Sequence, residues 1–233
     1  AASDVYKRQL WGFGPEGVTK RPADEEIATV EPFVGLDKFV WDLSTRGFVK
    51  RDTKATLDFS SIAKGYAVDI AADSLDDLGL EHFMLEVGGE IQVRGTSPRG
   101  DSWRLAVERP TPGSRGQIFT AIEVSDIGVA TSGDYRNFFE DGGRRFSHLI
   151  DPRTGYPIEH DLVSVTVVHP STMIADAWAT ALMVVGTEEA LRLADLYKLA
   201  VFLISREDDQ LVSSHNDAMT QWLMEPDVGG ETK

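Results

Sequence analysis

Two kinds of hydrophobic pattern recur along the chain. Short alternating or continuous apolar runs predict strands, among them FVWD, FVKRD, WRLAVERP, FTAIEVS, LVSVTVVH and AVFLIS. Apolar residues at helical spacing predict helices over residues 62–78, 172–185 and 187–197. Because strands and helices do not alternate strictly, the pattern favours an α+β fold, with mixed sheets and packed helices, over a doubly wound sheet.

Glycine and proline mark the predicted turns. Residues 12–33 are rich in both and are predicted as loop. The run GFGPEG inside them matches G-x-G-x-x-G, but Pro15 interrupts it and no helix pattern follows, so we do not interpret it as a dinucleotide site. The run RNFFEDGGRRFSHL predicts a hairpin around an Asp141-Gly142 turn.

Composition excludes several classes of function. The chain has 233 residues, 42% hydrophobic and 26% charged, which is ordinary for a globular domain with a real core. Its net charge of −15 argues against a nucleic-acid partner. It has no cysteine, which excludes disulfides, thiolate metal sites and cysteine nucleophiles. No stretch of about 18 apolar residues predicts a membrane span.

The first residues are predicted to be a non-native tail. Residues 1–9 read AASDVYKRQ, and the part from Asp4 to Gln9 resembles translated sequencing-adapter DNA joined to a fragment. We therefore treat residues 10–233 as the domain and leave residues 1–9 out of the functional interpretation.

The segment DFSSIAKGYAVD precedes and enters the first predicted helix. Ser60 or Ser61 is placed to cap that helix, which would leave backbone N–H groups free to bind an anion. Lys64 lies in the first turn, where a cation is unfavourable unless an anion is present, and Gly65 permits close approach. The alternative is a plain capped helix on the surface.

The segment MIADAWATALMVVG places two oxygen-bearing side chains on one helix face. Asp176 and Thr180 are four residues apart in apolar surroundings. Oxygen ligands without nearby histidine or cysteine suit a hard cation such as Mg²⁺. The alternative is that Asp176 only stabilises the helix dipole.

The segment FSHLIDPRTGYPI ends a predicted strand on His148 and continues into a turn. Pro152 and Gly155 restrict the dihedral angles of that turn. An ordinary imidazole pKa of about 6.5 suits a base near neutral pH. The alternative is a structural histidine.

Together these segments resemble one family, the FAD:protein FMN transferases, or ApbE family. The resemblance covers roughly residues 10–225, and its most specific patterns are S-H-x-I-D-P-x-T-G and A-D-x-x-A-T-A-L. Further matching pieces are EVGGEIQVRG, ATSGDYRNFF and LVSVTVV. The resemblance implies an ApbE-like α+β fold and an enzyme that cleaves FAD, attaches FMN through its phosphate to a Thr or Ser of a partner protein, and releases AMP with the help of Mg²⁺.

The resemblance also implies roles for individual residues. Asp58 and Lys64 would contact FAD, and Ile150 would border it. The metal would be bound by the backbone carbonyl of Ser61 and by the side chains of Asp176 and Thr180. His148 is the candidate base for the acceptor hydroxyl.

The chain departs from the family pattern at three places. Ala179 stands where some members have an acidic ligand, and Ser60-Ser61 stands where many have two glycines. Members usually carry a further segment before LWGFG that helps to hold the flavin. The chain therefore resembles the carboxyl-terminal two-thirds of the enzyme, with part of the FAD site missing. The resemblance also suggests the bacterial periplasm or cell envelope as the location.

Two other functions stay open at the level of sequence. An FAD pyrophosphatase that uses water would need the same residues, and a non-catalytic flavin-binding domain would share most of them. A family-type acceptor would read D-x-x-[ST]-[GA]-A-[ST], and the chain contains no such motif. The expected acceptor is therefore a different protein.

Overall fold

The computed structural model describes residues 5–14, 21–111, 113–114, 116–135, 137–208 and 210–224. The helices are α1 (Val5–Leu10), α2 (Asp24–Val30), α3 (Ala63–Asp77), α4 (Thr172–Val185), α5 (Thr187–Tyr197) and α6 (Asp217–Thr220). The strands are β1 (Phe39–Asp42), β2 (Gly47–Lys50), β3 (Phe83–Val87), β4 (Glu90–Arg94), β5 (Trp103–Glu108), β6 (Ile118–Val124), β7 (Gly128–Gly133), β8 (Phe138–Asp141), β9 (Arg144–Ser147), β10 (Leu162–His169), β11 (Ala200–Glu207) and β12 (Gln210–His215). Short 3₁₀ turns cover Glu31–Phe33 and Leu36–Lys38.

A six-stranded sheet forms the centre of the molecule. Its strand order is β12-β11-β10-β7-β4-β3, and every neighbouring pair is antiparallel. Three separate hairpins, β1–β2, β5–β6 and β8–β9, complete the strand content. The α+β prediction is confirmed, because helices and antiparallel strands are mixed without βαβ repetition.

Strand β11 shows why the sheet is buried on both faces. Its side chains alternate between faces, as the strand period of two requires. Val201 and Leu203 join the core cluster that includes side chains of α4 and α5. Phe202 and Ile204 join a second cluster with side chains of the β5–β6 hairpin and α6. Helices therefore cover one face of the sheet, and the hairpin with α6 covers the other.

Helices α3 and α4 meet at very short distance through a glycine. A methyl group at position 65 would lie 2.4 Å from the Thr172 carbonyl oxygen and 2.6 Å from Met173 Cα. Such distances are below van der Waals contact, so only glycine allows this approach. The close approach brings the first turn of α3 alongside α4 and sets the position of the residues that follow.

Asp69 ties the same two helices together. Its carboxylate accepts hydrogen bonds from the Thr172 N–H at 2.8 Å, the Met173 N–H at 3.1 Å and the Ser171 hydroxyl at 2.7 Å. These backbone donors belong to the first turn of α4, where no intrahelical acceptor is available. A residue of α3 thus caps α4 from outside.

The predicted helices are confirmed to within a residue or so of their ends, over Ala63–Asp77, Thr172–Val185 and Thr187–Tyr197. The predicted hairpin is also confirmed, but its two-residue loop is Gly142-Gly143, at φ 57° and 76°, one residue later than the predicted Asp141-Gly142 turn. Both central positions are left-handed, which is the turn type that suits the twist of a hairpin.

The prediction of loop throughout residues 12–33 is wrong at α2. Asp24, Glu25 and Glu26 occupy the first turn of this helix, where acidic residues are favourable. Its buried Ile27 packs in a cluster with Trp11, Phe146 and Ile150. A seven-residue helix with one buried residue does not repeat its hydrophobic spacing, so the sequence pattern could not reveal it. Pro15 and Gly17 of the glycine-rich run lie outside the described residues.

Part of the predicted tail lies in helix α1. The Lys7 ammonium donates a hydrogen bond to the Pro152 carbonyl at 3.0 Å, and the Lys7 side chain is buried. The assignment of residues 1–9 as a non-native tail stays a prediction. Among the described helices, none combines the length and apolar character that crossing a bilayer requires.

Candidate functional site

A cavity of about 510 Å³ lies between the start of α3, one face of α4 and the segment after β9. All of the residues predicted for the site line this one cavity, namely Asp58, Ser61, Lys64, His148, Ile150, Asp176 and Thr180. They come from three segments that are far apart in the sequence. A cavity of this size is in the range of small-molecule and cofactor sites.

One wall of the cavity carries Lys64 and Asp176, and the buried Glu90, which is not itself a lining residue, pairs with Lys64. The Lys64 ammonium pairs with Glu90 Oε1 and lies 3.6 Å from Asp176 Oδ1. Glu90 is 1% exposed and Asp176 is 4% exposed. We call Lys64, Glu90 and Asp176 the charged wall. It places two carboxylates around one ammonium group.

Burial shifts the pKa of both carboxylates upward. It raises the pKa of Glu90 above its ordinary value, although the Lys64 charge and hydrogen bond act in the opposite direction. It also raises the pKa of Asp176, against the Gly65 N–H and the Lys64 charge. The neighbouring Asp176 charge adds to the effect on Glu90. Burial therefore makes both carboxylates harder to ionise than exposed ones, while the Lys64 charge favours their ionised forms.

The predicted serine cap of α3 is wrong. Neither Ser60 nor Ser61 caps the helix, and Ile62 occupies the N-cap position without a side-chain bond. The Phe59 carbonyl instead accepts from the N–H groups of Ile62 and Ala63 at 3.0 and 2.9 Å. The Gly65 N–H is also occupied, because it donates to Asp176 Oδ2 at 3.0 Å. This backbone turn replaces the expected cap and uses part of the expected anion site.

Asp58 lies in the same turn at the edge of the cavity. Partial burial acts to raise its pKa, but hydrogen bonds from the Ser60 backbone and hydroxyl, together with the Arg8 charge, hold the pKa below its ordinary value. The Ser60 N–H donates to Asp58 Oδ1 at 2.7 Å, and Arg8 donates to Asp58 Oδ2 at 2.9 Å. Asp58 is therefore an ionised carboxylate at neutral pH.

His148 also lines the cavity and is held by the backbone. The Nδ1 atom of the His148 ring lies 2.9 Å from the Asn137 carbonyl oxygen. The backbone N–H of His148 donates a hydrogen bond to the same oxygen at 3.1 Å. Because a carbonyl can only accept, Nδ1 carries the proton and Nε2 is left as the acceptor nitrogen of the neutral ring. We call Asn137, His148 and Ile150 the histidine wall.

The pKa of His148 differs from the value expected for an isolated imidazole. Burial is the main cause and lowers the pKa from 6.5 to about 4, although the bond to Asn137 acts to raise it. At neutral pH the ring is therefore uncharged. The expectation of an ordinary pKa near 6.5 is replaced by a base that stays neutral well into the acidic range.

The rigid turn after His148 closes this side of the cavity. The Gly155 N–H donates to the Asp151 carbonyl at 2.8 Å, and Gly155 has φ +80°. Ile150 pairs with Pro157 across the turn and is buried. The turn thus holds Ile150 against both the aromatic cluster and the cavity, as the proline and glycine positions predict.

Comparison with known proteins agrees with this arrangement. The model of the ApbE family matches residues 7–203, which is most of the chain. The chain belongs to the ApbE family.

Relatives within the ApbE family have similar sequences and folds. The chain is 42% identical to the FAD:protein FMN transferase of Haemophilus influenzae over 90% of its length, and 43% identical to that of Vibrio cholerae over 86%. Among solved structures, the apo flavinyl transferase ApbE of Pseudomonas stutzeri superposes with a TM-score of 0.83 at 40% identity. The flavin transferase ApbE of Vibrio cholerae superposes with a TM-score of 0.85 at 38% identity.

The matches cover unequal shares of the two proteins. Both structural matches cover 95% of this chain, but 68% and 70% of the other chains. The chain spans 61% and 59% of the length of the two curated ApbE relatives above.

The residues of this ApbE site fit a hard cation. Asp176 offers a carboxylate, Thr180 a hydroxyl and Ser61 a carbonyl, and all line the cavity. Within the described residues, no group of three or more His, Cys, Asp or Glu side chains is arranged to hold a metal. A donor set of few protein oxygens that includes a carboxylate suits Mg²⁺, which keeps positions for phosphate and water.

The structure adds residues to the site that the sequence did not indicate. Glu90 lies within the matching piece EVGGEIQVRG, but nothing in its local pattern marks it as a neighbour of Lys64. Asn137 acts through its backbone carbonyl, for which no sequence signal exists. Arg8 lies in the segment set aside as a tail, and Thr131 and Ser132 line the cavity from β7.

Proposed function

We propose that this protein transfers FMN from FAD to a Thr or Ser hydroxyl of a partner protein, with release of AMP and dependence on Mg²⁺. The observation that carries the proposal is that both walls belong to one cavity. One wall holds the Asp176 carboxylate beside Lys64, which also pairs with Glu90, and the other holds a neutral histidine with an accepting Nε2. The names of the curated relatives, FAD:protein FMN transferase, support the donor and the product class.

The chemistry of the transfer assigns a task to each wall. The acceptor hydroxyl oxygen forms a bond to the phosphorus on the FMN side of the pyrophosphate, and the bond to the AMP oxygen breaks. The proton of the hydroxyl passes to His148 Nε2, which is unprotonated because Nδ1 donates to Asn137. His148 is thus the catalytic base, and it needs no prior deprotonation at neutral pH.

Lys64 and the metal ligands of the charged wall bind and orient the anionic part of FAD. Mg²⁺, when held by Asp176, Thr180 and the Ser61 carbonyl, supplies positive charge to the pyrophosphate. Lys64 adds a second positive charge at the same wall and contacts FAD. Asp58 contacts FAD at the edge of the cavity, and the buried Ile150 borders it.

The experiment that tests the proposal follows the mass of the acceptor. The protein is mixed with FAD, Mg²⁺ and an acceptor domain that carries the Thr/Ser motif, and the acceptor is weighed by mass spectrometry. A mass increase equal to FMN, with AMP in solution, is the expected result. A matched acceptor in which Val replaces the motif Thr should stay unmodified.

Other outcomes would replace the proposal with a different function. Free FMN and AMP with an unmodified acceptor would identify an FAD pyrophosphatase. FAD that is bound but not cleaved would identify a flavin-binding domain without activity.

The family resemblance also supports a location in the bacterial periplasm or cell envelope. Fractionation of the source cells, followed by detection of the protein with an antibody, tests this. Recovery in the cytoplasmic fraction alone would contradict it.

A further inference from the structure

Glu90 is the most deeply buried acidic group at the site, and none of the roles above uses it. It opens β4 directly after Gly88 and Gly89, which have φ of 66° and 102°. Its Oε1 pairs with the Lys64 ammonium. Its Oε2 is buried and has no hydrogen-bond partner among the described residues. A buried carboxylate costs stability unless it is paired, so Glu90 occupies this position at an energetic cost.

The Lys64 ammonium stands between Glu90 and the expected metal ligand. It contacts Glu90 directly but is 3.6 Å from Asp176 Oδ1, beyond normal hydrogen-bond length. Asp176 Oδ2 is already used by the Gly65 N–H. Oδ1 is therefore the carboxylate oxygen left for a metal ion, and Lys64 is the cation that would compete for it.

We infer that Glu90 is a positioning residue that draws the Lys64 ammonium away from Asp176 and so keeps Asp176 Oδ1 open for the metal ion. This inference rests on the proposed function, because it assumes that Asp176 binds Mg²⁺. Without the Glu90 charge, the nearest carboxylate for Lys64 is Asp176. The ammonium would then pair with the oxygen that the metal requires.

The Gly88 turn lies beside the stem of the Lys64 side chain. A methyl group on Gly88 would lie 3.1 Å from Lys64 Cδ and 3.7 Å from Glu90 Oε2. The glycine turn therefore packs against the Lys64 stem and the Glu90 carboxylate together. Its left-handed backbone favours glycine at this position.

The test measures metal affinity in the absence of FAD, so that it does not depend on turnover. Mn²⁺ is titrated into the full chain and into the variants Glu90→Gln, Lys64→Met and the double variant, with free Mn²⁺ followed by electron paramagnetic resonance. Glu86→Gln is the matched control, because Glu86 is an exposed carboxylate on the neighbouring strand β3. Thermal melting of each variant reports its folding.

The expected pattern is specific to a positioning role. Glu90→Gln weakens Mn²⁺ binding about tenfold or more, while Glu86→Gln and Lys64→Met do not weaken it. In the double variant the effect of Glu90→Gln disappears, because the competing ammonium has been removed. Such non-additivity is the signature of two residues that act through each other.

Four results would overturn the inference. An equal loss of affinity in the presence and absence of Lys64 would make Glu90 a direct metal ligand. A lower melting temperature with unchanged affinity would make it only structural. If Glu90→Gln does not fold, the Lys64→Met variant still tests the inference. Weaker Mn²⁺ binding in that variant would contradict the idea that Lys64 competes with the metal ion for Asp176. A wild-type chain that binds no Mn²⁺ would overturn the metal assignment itself, whereas normal wild-type binding confines any failure to Glu90.

Discussion

The two walls of the cavity are held in place by different means. In the charged wall, side chains from α3, β4 and α4 bind one another, so each group depends on a partner far away in the sequence. In the histidine wall, His148 is held by the backbone of Asn137, which lies just before the β8–β9 hairpin that His148 follows. Side-chain partners balance charge and respond to a cation, whereas a backbone partner fixes the orientation of a neutral ring.

The pKa values follow the same division. Burial raises the pKa of both carboxylates in the charged wall and lowers that of His148 in the other. Burial disfavours the charged form in each case, so the same physical cause shifts acids and bases in opposite directions. One cavity thus contains a carboxylate whose charged form burial disfavours and a base that stays uncharged at neutral pH.

The largest expected effect comes from removing the central carboxylate of the charged wall. Asp176→Ala should lower FMN transfer by about a thousandfold or more, since metal stabilisation contributes several kcal/mol and each 1.36 kcal/mol is tenfold in rate. The measurement is FMN attached to the acceptor, with Mn²⁺ binding followed in parallel. Asp73→Ala, on an exposed position of α3, is the control. Transfer that survives this change, or that EDTA leaves unaffected, would contradict the metal assignment.

The histidine wall should respond differently to mutation. His148→Ala should lower transfer about 10²- to 10⁴-fold while FAD affinity changes little, because a base acts mainly in the transition state. Transfer rate, FAD affinity and melting temperature are measured on the same variant. If affinity and melting temperature fall together, His148 is structural. Near-normal transfer by a folded variant would remove His148 from the mechanism.

The contact between α3 and α4 can be disrupted without removing any polar side chain. Gly65→Ala places a methyl group against the Thr172 carbonyl and should lower the free energy of unfolding by about 1–3 kcal/mol. Mn²⁺ affinity should fall as well, because the helices must separate and Lys64 and Asp176 move with them. Urea unfolding and Mn²⁺ titration measure both effects. Gly47→Ala is the control, since a methyl group there meets only ordinary contacts. Equal behaviour of the two variants would show that α3 and α4 tolerate the extra volume.

A smaller effect is expected from the cap that α3 provides to α4. Asp69→Ala removes the acceptor for the Thr172 and Met173 N–H groups and should cost about 1–2 kcal/mol of stability. The free energy of unfolding from urea denaturation is the measurement, with Asp73→Ala as the control on the same helix. A loss no larger than that of the control would mean that water replaces the cap at no cost.

The smallest expected effect is a dependence of the transfer rate on pH. It distinguishes the contribution of His148 from that of the charged wall. The base form of His148 is present above its pKa of about 4 and is lost as the pH falls through that value. The ratio of wild-type to His148→Ala transfer should therefore stay constant from pH 7 to about 5 and decline as the pH approaches 4. Using a ratio cancels the titration of the carboxylates, which both proteins share. A ratio that already falls near pH 6.5 would show that the pKa is not lowered in the working complex.

Much of the local structure could be predicted from the sequence. Hydrophobic spacing predicted α3, α4 and α5, and the Asp141-Gly142 turn signal predicted the β8–β9 hairpin, because these features depend on residues close together in the chain. The spacing of Asp176 and Thr180 also placed both on one helix face, and both line the cavity. The short helix α2 was missed, because its single buried anchor gains meaning only beside Trp11 and Phe146.

The tertiary structure alone decided the electrostatics of the site. Glu90 meets Lys64 because β4 lies next to β7 in the sheet while α3 packs across both α4 and β4, and Gly65 allows α3 to touch α4. The expected serine cap failed for a related reason, since the Phe59 carbonyl and Asp176 took the donors that a serine would have used. The tautomer and lowered pKa of His148 likewise come from a backbone carbonyl and from burial. A sequence specifies which chemical groups are available. Strand order and helix packing determine which of these groups meet and how far water is excluded from them, and contacts and burial together set the pKa of each group.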